Sequence, residues 1–94
     1  MAEIQVVSLQ NNRYEVTVID RTTTTHHVTV NADYADALTQ GACTHAELVQ
    51  RSFAFLLARE PNTSILRSFD LSVIAHYFPD YEQHIRHPSF TKHS

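Results

Sequence analysis

Two runs rich in β-branched residues, EIQVVSLQ and RYEVTVID, meet at Asn11-Asn12, and this junction constrains the chain more than any other feature. Asparagine tolerates the positive φ of a primed hairpin turn, so the two runs read as an antiparallel hairpin. With Asn11 and Asn12 as a two-residue loop, Leu9 faces Tyr14, Val7 faces Val16 and Ile4 faces Ile19. Like meets like in that register, and a slip of one residue would turn every side chain to the other face. A third strand, THHVTVN, alternates His26, Val28 and Val30 with His27 and Thr29. Pairing Val16 with Val30 and Val18 with Val28 sets Asp20 opposite His26, with residues 21–25 as a polar connection. The core face is then Val7, Leu9, Tyr14, Val16, Val18, Val28 and Val30. Ile4, Val6 and Ile19 fall on the back face, where they form an apolar corner.

Beyond the strands the period changes. Residues 33–40 read as one or two helical turns stopped at Gly41. Thr44 and Glu47 have capping-box spacing, which predicts a main helix over 45–60 that ends ahead of Pro61. Ala46, Val49, Phe53, Leu56 and Leu57 form its apolar stripe, with Leu48 and Phe55 to one side. A helix this widely apolar is covered twice, by the sheet and by the C-terminal segment. In that segment Ser64 and Asp70 suit N-caps, and Pro79 suits the first turn of a last helix. Leu71, Ile74, Ala75 and Phe78 share one face, followed by Tyr81 and Ile85. The expected architecture is α+β, a three-stranded antiparallel β-meander packed against one main helix with two short C-terminal helices. It forms a single domain over 1–88, with a disordered tail at 89–94.

Composition narrows the chemistry. At 94 residues a chain has little core, and a second copy or a partner is a natural supplement. A single glycine leaves no P-loop, dinucleotide-binding fingerprint or nucleophile elbow, and a single cysteine leaves no internal disulfide or cysteine-based zinc cluster. A net charge of −3 argues against general nucleic-acid binding, and protonating all seven histidines would carry it to +4. No run of residues reaches the length of a membrane span and MAEIQVVSLQ does not read as a leader, so a cytoplasmic protein with no cofactor is expected.

Residues 59–82, REPNTSILRSFDLSVIAHYFPDYE, resemble a family of small uncharacterised bacterial proteins through the pattern EPxxSILRxFDLxVIxxYFPxYE. The matching residues run from Glu60, Pro61, Ser64, Ile65, Leu66, Arg67, Phe69, Asp70 and Leu71 to Val73, Ile74, Tyr77, Phe78, Pro79, Tyr81 and Glu82. The resemblance implies a hairpin region followed by a helix and this segment. It implies no activity.

Several constellations invite chemistry. Asp80, His84 and His87 share one face of the last helix and could meet a divalent metal, although surface histidines near a helix C-terminus are also favoured by the dipole. Cys43 and His45 flank a helix start but lack an orienting third group, and Asp33/Asp36 and Asp80/Glu82 read as solvated helix-start charges. Two surfaces are better candidates for a protein partner or a homodimer. One is the back-face corner of Ile4, Val6 and Ile19. The other is the aromatic region at 59–81, with Arg59, Arg67, Phe69, Asp70, Tyr77 and Tyr81, types enriched at binding hot spots. The expected function is non-enzymatic protein–protein contact. The alternatives are a ligand-binding or catalytic cleft near the C-terminal helices using His76, Arg67 or Asp70, and an antitoxin-like regulator.

Overall fold

The computed structural model describes residues 2–86. The element order is β1 (Glu3–Ser8), β2 (Arg13–Ile19), β3 (Thr23–Thr29), α1 (Ala32–Thr39), α2 (His45–Leu57), a 3-10 turn at Asn62–Ser64, β4 (Ser68–Asp70), α3 (Val73–Tyr77) and α4 (Tyr81–Arg86). The fold is α+β. The sheet is four-stranded and mixed, not three-stranded: its order is β1-β2-β3-β4, and β4 lies parallel to β3. The helices cover one face. His87 and the expected tail at 89–94 lie outside the described residues.

The first hairpin is present, but its register differs from the expected one by a single residue. Asn11 and Asn12 do adopt positive φ, 62° and 60°. The loop nevertheless holds three residues, Gln10, Asn11 and Asn12, and is closed by Leu9 N–H donating to the Arg13 carbonyl at 2.7 Å. Val6 therefore pairs with Val16 and Ile4 with Val18. This reverses the faces of β1: Ile4 and Val6 turn toward the core, where they are half-buried, while Val7 and Leu9 are exposed by 52% and 41%. The cause is the Val6-Val7 step, which offers an aliphatic on either face and lets the turn decide. Ile19 stays on the outer face, opposite Glu3. The expected back-face corner of three aliphatics is thus not assembled.

The β2–β3 pairing is offset by four residues, with Val16 opposite His26 and Val18 opposite Thr24. An even offset preserves the faces, so Val16, Val18, Val28 and Val30 are all fully buried as expected. Residues 23–25 join the strand instead of the loop. Asp20 consequently does not meet His26; its carboxylate accepts from the adjacent Arg21 N–H.

Helix α2 starts where the capping box requires. Thr44 Oγ1 accepts from Glu47 N–H at 3.0 Å, and Glu47 Oε1 accepts from Thr44 N–H at 2.8 Å. Phe53, Leu48 and Val49 on its inner face are fully buried. It ends at Leu57, short of the expected residue 60, and Arg59 and Glu60 N–H both fold back onto the Leu56 carbonyl. Asp70 is no N-cap: its Oδ1 accepts from Ser72 N–H and Oγ in a local turn. Replacing Asn12 with Val should lower stability by about 1–2 kcal/mol, because a β-branched residue is poorly accommodated at positive φ. Asn12→Gly should be tolerated, and urea unfolding of the two variants checks both.

Candidate functional site

A buried polar seam joins β3 to the chain leading into β4. His26 is fully buried. Its Nδ1 lies 2.7 Å from the Leu66 carbonyl, which can only accept, so Nδ1 carries the proton. Nε2 is then an acceptor, and Thr24 Oγ1, at 2.8 Å, donates to it. Thr24 Oγ1 in turn accepts from Asn62 Nδ2 at 3.0 Å, and the same amide donates to the Thr22 carbonyl at 2.7 Å. Every member points one way: Asn62 to Thr24, Thr24 to His26, His26 to Leu66. A neutral imidazole completes the chain. Burial pulls the His26 pKa below its ordinary 6.5; the bond to Leu66 opposes this, and Arg67 and His27 reinforce it. Two backbone bonds extend the seam, His27 N–H to the Arg67 carbonyl at 2.7 Å and Leu71 N–H to the Thr29 carbonyl at 2.9 Å.

With this segment pinned, a groove of about 230 Å³ opens between the C-terminal end of α2 and α3. Leu56 and Glu60 form one wall, and Val73, Ile74, Tyr77 and Phe78 form the other. Ser64, Ile65, Leu66 and Phe69 supply the base and the remaining rim. Ile65 and Ile74 are almost wholly buried, whereas Leu66 and Tyr77 are exposed by 49% and 67%. The lining is apolar apart from Glu60, Ser64 and the tyrosine hydroxyl. Glu60 is half-buried just beyond the end of α2, where the helix dipole disfavours a negative charge, and makes no ion pair among the described residues.

Behind Phe78 lies an aromatic cluster around Phe55. The rings of Phe78 and Tyr81 meet it edge-on at 5.8 and 5.3 Å. The Arg59 guanidinium lies 3.6 Å from the ring centroid and donates to Asp80 at 3.0 Å. Tyr81 is fully buried, so its expected place on a contact surface is overturned. Its hydroxyl donates to Ser52 Oγ at 2.6 Å, while Ser52 donates to the Leu48 carbonyl. Burial pushes the Tyr81 pKa up to about 12. Tyr34 is also raised, by burial and by its bond to Glu82, which ties α1 to α4.

The expected surface residues are therefore divided. Phe69 and Tyr77 line the groove. Arg59 is engaged with Phe55 and Asp80, Asp70 with Ser72, and Arg67 is exposed outside the lining. The expected cleft near the C-terminal helices exists, but His76 is likewise exposed outside it. Leu66 and Glu60 belong to the 60–82 pattern but not to the expected contact surface, although Ile65-Leu66 in an extended stretch signals one residue in and one out. Of the expected metal face, Asp80 pairs with Arg59 and the His84 ring lies 5.0 Å from that of Phe55, while His87 lies outside the described residues. No three potential ligands converge among the described residues. Cys43 is half-buried beside Arg51, and His45 turns to Asp36 at 3.1 Å. No helix among the described residues is long and apolar enough to cross a membrane.

No protein-family model matches the chain, and no curated protein or solved structure is significantly similar to it.

Two outcomes follow from the seam. Because the native state holds the His26 pKa below its unfolded value, the unfolded state binds more protons as pH falls. The His26 contribution to stability is complete above about pH 6.5 and declines as pH drops below that value toward the lowered native pKa. Ring NMR titration of His26, together with urea midpoints on both sides of pH 6.5, measures this. Asn62→Ala should cost about 1–3 kcal/mol in the same assay, since it leaves the Thr22 carbonyl without its donor and Thr24 without the bond from Asn62.

Proposed function

We propose that this protein acts by binding, and that its groove between α2 and α3 seats an apolar side chain of a protein partner beside a basic residue. The observation that carries the reading is the combination of a nearly buried aliphatic floor, an exposed Leu66–Tyr77 rim and a carboxylate, Glu60, that makes no ion pair among the described residues. Size favours a side chain over a cofactor. Sites for drug-sized ligands usually measure about 300–1,000 Å³, and this groove, at about 230 Å³, holds one or two large side chains. Tyrosine at the rim supplies apolar area and a hydroxyl at low entropic cost. Glu60 selects charge, because a Lys or Arg next to the anchor gains a partner there without displacing an existing one.

The same reading is of a cytoplasmic, non-enzymatic protein, a compartment in which a lone thiol such as Cys43 stays reduced. It extends to the family that residues 59–82 resemble, since every lining residue except Leu56 falls within that segment.

Peptide selection from a random displayed library tests the proposal. The wild-type protein should enrich peptides with a large apolar residue next to Lys or Arg. Glu60→Arg should weaken those peptides by about tenfold and favour acidic neighbours, and Tyr77→Ala should weaken both sets. The same enrichment by all three proteins, or none by any, would remove the groove from consideration.

A further inference from the structure

Strand β1 is a sheet edge without the usual protection. Because Leu9 N–H bonds to Arg13, the alternation of an antiparallel ladder turns the backbone groups of Glu3, Gln5 and Val7 toward β2. Those of Ile4, Val6 and Ser8 point outward, and nothing among the described residues pairs with them. Natural edges are commonly blunted by lysine, proline, a bulge or shortness. Here β1 is six residues long, has neither Lys nor Pro, and keeps an unbroken register from Glu3 to Ser8. The opposite edge, β4, has only three residues. Ile4 and Val6 face the helical layer, yet remain only half-buried.

We infer that β1 pairs with β1 of a second copy, antiparallel about a two-fold axis at Gln5, to give a continuous eight-stranded sheet. In this register the outward groups of Ile4 and Val6 bond to those of Val6 and Ile4 in the other copy, and aliphatic meets aliphatic on the helical side. Charge selects the orientation. Glu3 is the one charged residue of β1. Antiparallel pairing sets it opposite Val7, whereas parallel pairing would stack the two glutamates. Helix α2 packs on β1, so the helical layers of both copies reach the seam and add to the buried surface. Standard interfaces bury about 800 Å² per partner. A six-residue edge alone supplies less, so the association is reversible and weak.

The dimer does not depend on the groove, but it has a consequence for it. The grooves lie toward the β4 ends, so pairing through β1 leaves both open with roughly 34 Å between the outer strands. Two anchors on one rigid sheet would bind a repeated or dimeric partner with avidity.

Gln5 gives a test specific to this register. Its side chain is exposed and bonds only to Glu3 among the described residues, so charged variants retain the fold, as urea midpoints verify. At the axis, Gln5 meets Gln5, so Gln5→Lys and Gln5→Glu each oppose like charges at the closest approach. Sedimentation equilibrium should show a concentration-dependent wild-type dimer, each variant weakened by at least about tenfold, and an equimolar mixture of the two restored. A wild-type protein that stays monomeric at high concentration overturns the proposal; protected amides at Ile4 and Val6 in that monomer would assign the edge to residues 87–94. Variants that dimerise like the wild type overturn the register.

Discussion

An imidazole has two nitrogens, and when it is buried both need partners; this protein is organised around meeting that need for His26. Leaving either nitrogen unpaired in the core would cost more than a typical hydrogen bond returns. One partner, Thr24, comes from the same strand and is oriented by Asn62 from the 3-10 turn. The other is the Leu66 carbonyl, forty residues further along the chain. Meeting the second demand draws the 65–71 segment against β3, converting a meander into a mixed sheet. It also fixes where Ile65 and Leu66 fall, one in the floor of the groove and the other on its rim.

Much of this arrangement was legible in the amino-acid sequence, and the reasons for the exceptions are instructive. Alternation in β2 and β3 identified the buried face correctly even though the β2–β3 pairing was offset, because an even displacement leaves faces unchanged. In β1 the adjacent valines at 6 and 7 made two opposite faces equally plausible, and a three-residue turn chose between them. Strand β4 left no periodic trace, since three residues are too few and their pairing partner is remote in sequence. Thr24 sat in a run of threonines that reads as loop, and nothing in its neighbourhood marks it as buried. Tyr81 read as a surface anchor. Ser52, one strand of logic away on α2, satisfies its hydroxyl and allows it inside.

The candidate site shows a similar division between residues that hold and residues that are left over. Arg59, Asp70 and Asp80 have the chemistry of a binding surface, but each is engaged in internal contacts that brace the end of α2 or the start of α3. What remains available is less conspicuous: Leu66 and Tyr77 at the rim and the Glu60 carboxylate between them and α2. Burial and internal pairing, not residue type alone, separate the two groups.

The distance in sequence between β3 and β4 also sets an order of events. The β1–β2 and β2–β3 hairpins close over short loops, whereas docking β4 closes a loop of about forty residues for only three ladder pairs. Loop-closure entropy therefore favours closing the two hairpins first and completing the groove on a sheet already in place.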